Sequence, residues 1–185
     1  MRVIAGRLGG RRLSAPRGRT TRPTSDRVRE ALFSMLGSLE GASVLDLFAG
    51  TGALGIEALS RGAAKALFVE RDTAALAALK GNLARLELGE PLARVRVGEA
   101  LAALRSARRA RETYDLVFVD PPYDQLRDSE RELSALLPAV LAPGARVVVE
   151  SDRRAPAELP LAVAQRKRYG DTTITIHRTE DKDER

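Results

Sequence analysis

The chain has 185 residues, a formal net charge of +6, 44% apolar residues and no cysteine. That length suits one main domain around one core, and no apolar run approaches the roughly 18 residues of a membrane helix. The missing cysteines exclude disulfides, zinc knuckles, iron–sulfur ligation and the cysteine-nucleophile route by which pyrimidine carbon-5 is methylated.

The charge is concentrated at the start. Residues 1–29 hold nine arginines (Arg2, Arg7, Arg11, Arg12, Arg17, Arg19, Arg22, Arg27 and Arg29) against one acid, Asp26, a net of +8 that leaves −2 for the remainder. No apolar signal-peptide core opens the chain, so a cytoplasmic location is expected. Arg2-Val-Ile-Ala-Gly and Arg11-Arg-Leu-Ser-Ala are strand-like runs around Gly9-Gly10, which predicts a hairpin. Planar guanidinium groups on a hairpin suit a nucleic-acid backbone. Arg2, Arg7, Arg11, Arg12, Arg17, Arg19 and Arg22 are the candidate phosphate contacts. Residues 1–21 are expected to be a basic arm that adds little apolar core, 22–178 the folded body, and 179–185 a charged tail.

Pro23-Thr24-Ser25-Asp26 is helix-start chemistry, and Val28, Ala31, Leu32, Met35, Leu36 and Leu39 follow at helical spacing. A strand over 43–48 then leads through Asp46-Leu-Phe-Ala-Gly-Thr-Gly-Ala-Leu-Gly into a helix over 53–61. Glycines at such a junction let the backbone approach a ligand closely. The spacing Gly50-x-Gly52-x-x-Gly55 also fits the dinucleotide fingerprint, and Glu70, ending a strand over 66–70, stands where that motif places its ribose-binding acid. Asp46 separates the two readings. A pyrophosphate would meet a carboxylate four residues before Gly50, and like charges there are unfavourable. S-adenosylmethionine (SAM) carries a sulfonium and an ammonium and no phosphate, so the same acid favours it.

Helices over 73–88, 99–109 and 129–140 alternate with strands over 94–97, 114–119 and 145–150. Two alternating runs, 162–169 and 172–177, are joined by Gly170-Asp171, a hairpin signal. The expected fold is α/β: a Rossmann-like, doubly wound, seven-stranded, mostly parallel sheet with one antiparallel strand. His177, the single histidine, falls in the last run and reads as a surface or edge-strand residue.

The strand over 114–119 ends in Asp120-Pro121-Pro122-Tyr123, at the edge where open α/β sheets bind ligands. An exocyclic amino group on a flat ring is a poor nucleophile because its lone pair is delocalised. Catalysis then means alignment and stabilisation of the positive charge that grows on nitrogen. Its two protons call for two acceptors, the Asp120 carboxylate and the Pro121 carbonyl. Pro121 has no N–H to repel those donors, and Pro122 restricts the residue before it. Tyr123 offers a face for a base turned out of an RNA loop, a stack of about 1–3 kcal/mol.

The order Asp46-Leu-Phe-Ala-Gly-Thr-Gly, Glu70, Asp120-Pro-Pro-Tyr resembles the class I SAM-dependent methyltransferases that act on exocyclic amino groups. Three further stretches narrow the likeness: Arg2-Val-Ile-Ala-Gly with Gly10-Arg-Arg-Leu, Arg22-Pro-Thr-Ser-Asp-Arg-Val-Arg-Glu-Ala-Leu-Phe, and Tyr169-Gly-Asp-Thr. Over about residues 2–178 the chain resembles the RsmD family, which forms N2-methylguanine in bacterial 16S ribosomal RNA. The resemblance implies that Asp46 and the amides of Ala49, Gly50, Thr51 and Gly52 surround the methionine part of SAM. Glu70 would accept from the ribose hydroxyls with Arg71 beside it, and Glu99 or the Ala100 amide would meet the adenine N6. Gly98-Glu99-Ala100 departs from the aspartate usual in the family. The expected partner is 16S rRNA within a small-subunit ribosomal particle, met by a monomer without metal or membrane attachment.

Other readings fit less well. A DNA adenine-N6 methyltransferase usually has a target-recognition region, and only 49 residues separate Glu70 from Asp120. A protein-glutamine methyltransferase would more typically carry Asn-Pro-Pro-Tyr and has no use for the arginines. A non-catalytic RNA-binding assembly factor would not need Asp46, Glu70 and Asp120 together.

Overall fold

Strands β1 (Ser43–Asp46) and β4 (Tyr114–Val119) lie side by side at the centre of one sheet and are buried almost throughout. Their valine, leucine and phenylalanine runs do not alternate with polar residues because both faces are covered, as parallel strands require. Around them stand β2 (Lys65–Glu70), β3 (Ala93–Val97), β5 (Leu141–Asp152), β6 (Ala162–Tyr169) and β7 (Thr172–Arg178). This computed structural model describes residues 1–16, 25–121 and 123–180, with backbone alone for 123–128. Across the sheet the order is β3-β2-β1-β4-β5-β7-β6, parallel except for β7, which runs against both its neighbours. The expected Rossmann-like sheet with one antiparallel strand is the one observed. Its order reverses between β1 and β4, and ligands bind at the carboxyl ends of strands beside such a switch point.

Helices α1 (Asp26–Leu36), α2 (Ala53–Ser60) and α3 (Thr73–Arg85) pack on one face, with Val44, Phe68, Leu116 and Phe118 beneath them. Helices α4 (Ala100–Ala110) and α5 (Tyr123–Leu136), with a short 3-10 turn over Leu137–Val140, cover the other face above Leu45, Val69, Val117 and Val119. The start of α1 is the one the sequence suggests: Ser25 Oγ accepts from Val28 N at 3.3 Å. Asp72 Oδ1 accepts from Ala75 N at 2.9 Å, starting α3. Several boundaries differ from expectation, including these two. Helix α5 begins at Tyr123 rather than near 129, directly after the Asp120 loop, and β5 extends through Pro143-Gly144 instead of starting at 145. Among the described residues no helix is long and apolar enough to cross a membrane.

The N-terminal segment does fold back on itself, with one antiparallel bridge between Arg2 and Arg12. Val3 N donates to Arg11 O, and Gly10 N to Val3 O, each at 2.9 Å. It is not, however, an arm that adds little core. Val3, Leu8 and Leu13 are buried in the same core as α1, α2 and α3. Polar side chains of α1, α2 and α3 hold its backbone there. Glu57, 0% exposed in an otherwise largely apolar α2, accepts from Ile4 N at 2.7 Å and Ala5 N at 3.0 Å. Ser60 Oγ accepts from Leu8 N at 3.0 Å and donates to Ala5 O at 2.5 Å. Asn82 of α3 exchanges hydrogen bonds with the Ser14 backbone, accepting at 2.8 Å and donating at 3.0 Å. Gly6 makes this docking possible: at φ +80°, a Cβ there would lie 1.9 Å from the Ser60 carbonyl oxygen.

Candidate active site

The loop between β1 and α2 turns on Gly50 and Gly52, at φ +55° and +83°, values that side-chain-bearing residues rarely adopt. Gly55 serves packing instead: a Cβ there would stand 2.3 Å from Phe68 Cε1, so α2 rests directly on β2. The loop is fastened from three sides. Ala49 N donates to Val69 O at 3.0 Å, Gly50 N to Glu70 Oε2 at 2.8 Å, and Asn82 Nδ2 to Thr51 O at 3.0 Å.

Asp46 lies deeper than the sequence suggested. It is 1% exposed, beneath the loop rather than at an open mouth, and its Oδ2 accepts from Gly55 N at 3.1 Å. Burial pushes its carboxyl up to about 7 and the Glu70 charge adds to this, while the amides of Gly55 and Phe48 act in the opposite direction. Glu70, at the end of β2, holds both neighbouring loops. Besides Gly50 N on Oε2, its Oε1 accepts from Arg71 N and Asp72 N, each at 2.7 Å. A carboxylate has about four acceptor positions, so three are taken by backbone amides.

Arg71 reaches across to Glu99, with Nη1 at 2.9 and 3.1 Å from the two carboxylate oxygens. This pair spans the gap between β2 and the start of α4, where Ala100 is the first helical residue. Both partners are about half exposed, a setting in which an ion pair contributes about 0–1 kcal/mol. Gly98 N donates to Glu70 O at 2.9 Å and sets the height of Glu99 beside the loop.

Asp120 follows β4 and is half-buried, with Pro121 buried after it. Its carboxyl is held well above the usual carboxylate range by burial first, then by the charges of Glu150 and Asp46. Val119 pairs with Val149, which sets Asp120 beside Glu150 on β5. The structure thus brings Asp46, Glu70, Asp120 and Glu150 to the carboxyl ends of β1, β2, β4 and β5. Glu150 was missed from sequence, although it closes the apolar run Val147-Val148-Val149 just as Glu70 closes Leu67-Phe68-Val69. Tyr123 is the first residue of α5. Pro122, Arg17, Arg19 and Arg22 lie outside the described residues.

The remaining arginines divide into two kinds. Arg2, Arg7, Arg11 and Arg12 are exposed, with Arg2 Nε 3.2 Å from Asp26. Arg29 is 1% exposed and structural: its Nη2 donates to Arg2 O at 2.6 Å and Asp26 Oδ1 at 2.8 Å.

Four carboxyl groups in a partly desolvated cleft disfavour a phosphate and suit a cation, whose arrival favours their ionised forms. The donor set therefore fits SAM, with its sulfonium and ammonium, and disfavours a pyrophosphate cofactor. Comparison with known proteins agrees. Residues 1–178 match the family described as conserved hypothetical protein 95, the RsmD methyltransferases. The chain belongs to that family. It is similar to YlbH of Bacillus subtilis, 41% identical over 189 residues covering 96% of this chain and 98% of the relative. Ribosomal RNA small subunit methyltransferase D of Haemophilus influenzae is 36% identical over 162 residues, 86% of this chain and 83% of the relative. The solved structure of Escherichia coli yhhF superposes with a TM-score of 0.80 at 36% identity, covering 98% and 99% of the two chains. SAM is the methyl donor of this family.

Proposed function

We propose that this chain transfers the methyl group of SAM to the N2 amino group of a guanine in 16S rRNA, acting as a monomer on a small-subunit ribosomal particle. The observation that carries the reading is the carboxylate cluster at the switch point, with Asp120-Pro121 placed beside it at the end of β4. Relatives named for small-subunit ribosomal RNA methylation support the substrate.

In this reading, bound SAM supplies an electrophilic methyl group. Asp46 and the Ala49–Gly52 backbone face its methionine part, Glu70 its ribose, and Arg71, Glu99 and the Ala100 amide its adenine edge. Three of Glu70's acceptor positions are already occupied by backbone amides, so for Glu70 to hold both ribose hydroxyls one of those amides would have to give way. Asp120 and the Pro121 carbonyl accept the two N–H groups of guanine N2 and fix its lone pair toward the methyl. Positive charge entering between Asp46, Asp120 and Glu150 favours the ionised form of Asp120, the form that accepts. No strong base is required, because the amino proton becomes acidic only as the methyl transfers. Tyr123 stacks the base, and the exposed arginines of the N-terminal segment neutralise phosphates. We assign the methyltransferase domain to 22–178, the RNA-contacting segment to 1–21 and a tail to 179–185.

Ribosomal RNA from a strain lacking the gene, digested to nucleosides and analysed by mass spectrometry, is expected to lose one equivalent of N2-methylguanosine. The purified protein restores it on small-subunit particles. The Asp120→Ala variant restores nothing while still binding SAM, and Tyr123→Phe remains active where Tyr123→Ala does not. An unchanged N2-methylguanosine level, or loss of N6-methyladenine from DNA instead, overturns the substrate assignment.

A further inference from the structure

We infer that the exposed edge strand β6, with the turn that follows β5, is a second RNA-backbone surface on the opposite side of the active site from the N-terminal segment. The inference rests on the proposed RNA substrate and extends it to residues outside that segment.

The site itself cannot attract RNA. Its acidic lining gives a phosphate nothing to pair with, so the cations that hold a nucleic acid must stand on the rim. The N-terminal segment provides them over α2 and α3, on the β1–β2–β3 half of the sheet. The other half has its own. Residues 161–170 contain Arg166, Lys167 and Arg168 and no acid, and all three are exposed on a strand that, among the described residues, pairs on one side only. Arg153 and Arg154 are exposed in the turn after β5, and Arg153 N donates to Asp171 O at 2.8 Å, which joins that turn to the β6–β7 hairpin. Five cations therefore share this corner with three acids, Asp152, Glu158 and Asp171.

Register places the corner at the working end of the sheet. Lys167 pairs with Ile174, Ile174 with Glu150, and Val149 beside Glu150 with Val119 beside Asp120. Lys167 and Asp120 thus stand in one row across four adjacent strands. At about 4.8 Å per strand they are roughly 14 Å apart, about four phosphates along one strand of a helix. Arg166 and Arg168 flank Lys167 on the other face of the strand, with Arg166 Nε held 3.2 Å from Thr175 Oγ1. A base placed at Asp120 then has its backbone running over α2 and α3 on one side and toward β6 on the other.

Lysine and arginine on an edge strand have a second possible role, to prevent edge-to-edge pairing between copies. One experiment separates the two. The full chain carrying Arg166→Gln, Lys167→Gln and Arg168→Gln is compared with the parent for binding to a 16S rRNA transcript over a range of salt. SAM affinity, melting temperature and light scattering are followed alongside. Expected are unchanged SAM affinity and melting temperature and a log–log salt slope smaller by about 2–2.7, from roughly 0.7–0.9 per contact. Equal RNA affinity and slope in the two proteins overturn the inference, and self-association of the variant without any loss of RNA binding assigns the cations to edge protection instead. If the parent neither binds nor methylates the RNA, the proposed function falls and takes the inference with it. A parent that methylates normally beside a variant that binds as tightly refutes the inference alone.

Discussion

Replacing Asp46 by asparagine is expected to stabilise the cofactor-free protein while abolishing SAM binding. The carboxyl is buried and pushed from its usual value of 3.8 up to about 7, a difference equivalent to at most about 4 kcal/mol. A group whose folded pKa is raised contributes its stabilisation fully below the unfolded value and loses it as pH rises through the folded one. Asp46 therefore lowers stability progressively between about pH 4 and pH 7 and contributes no further slope above that. The asparagine amide oxygen can still accept from Gly55 N but carries no charge, so the variant lacks this decline. Urea unfolding of both proteins at pH 5 and pH 8, without cofactor, should show the variant gaining on the parent with pH by up to about 3 kcal/mol, the part of the shift that lies above pH 5, while the cost of its own amide N–H is the same at both pH values. Asp120 contributes a slope of the same sign to both proteins, so the difference reports Asp46 together with their mutual repulsion. Calorimetry near pH 7 in buffers of different ionisation heat should show protons released when SAM binds the parent. Stability curves that run parallel from pH 5 to pH 8 would refute the claim that burial holds this carboxyl up.

Glu70→Ala should weaken SAM binding by roughly 1.5–3 kcal/mol, the range for hydrogen bonds to a charged group, and unchanged calorimetric affinity removes Glu70 from the site. Deleting residues 1–16 removes Val3, Leu8 and Leu13 from the core, each worth about 1.5–3 kcal/mol, and strips the amides from buried Glu57. Against a typical total of about 5–15 kcal/mol, the truncated chain should be largely unfolded by circular dichroism, and a native-like urea midpoint would contradict the docking. Gly55→Ala forces a methyl into Phe68 and should cost about 1–3 kcal/mol, read as a lowered urea midpoint with the slope unchanged.

The sheet was legible because its central strands are unbroken apolar runs punctuated by glycine and proline, and because Asp46, Glu70 and Asp120 each close such a run. Helix α5 was cut short in the sequence reading because Tyr123-Asp-Gln-Leu-Arg-Asp has no apolar stripe, although an Asp-Pro-Pro turn is a reasonable place for a helix to begin. The depth of Asp46 could not be read at all, since it depends on the loop closing over it and on Gly55 turning its amide inward. The docking of the N-terminal segment left one trace. Glu57 sits in Ala-Leu-Gly-Ile-Glu-Ala-Leu-Ser, where a lone charge in a nearly apolar helix signals a buried partner. Asn82 and Ser60 left none, because polar residues near a helix end usually face solvent.

The manner in which the N-terminal segment is held has a consequence for how it can change. Apart from Val3, Leu8 and Leu13, the Arg2–Asp26 pair and the Ser14 hydroxyl, its attachments are main-chain groups: the amides of Ile4, Ala5, Arg7, Leu8 and Ser14, and the carbonyls of Arg2, Ala5, Arg12 and Ser14. The side chains of Arg7, Arg11 and Arg12 are left outside this scaffold. Each can be exchanged for another residue, singly or in combination, without undoing the seat on which it rides. The segment works like a keyed plate with interchangeable pins: its position relative to the glycine loop is set by backbone and by Asn82, while its affinity for a charged surface can be tuned one residue at a time.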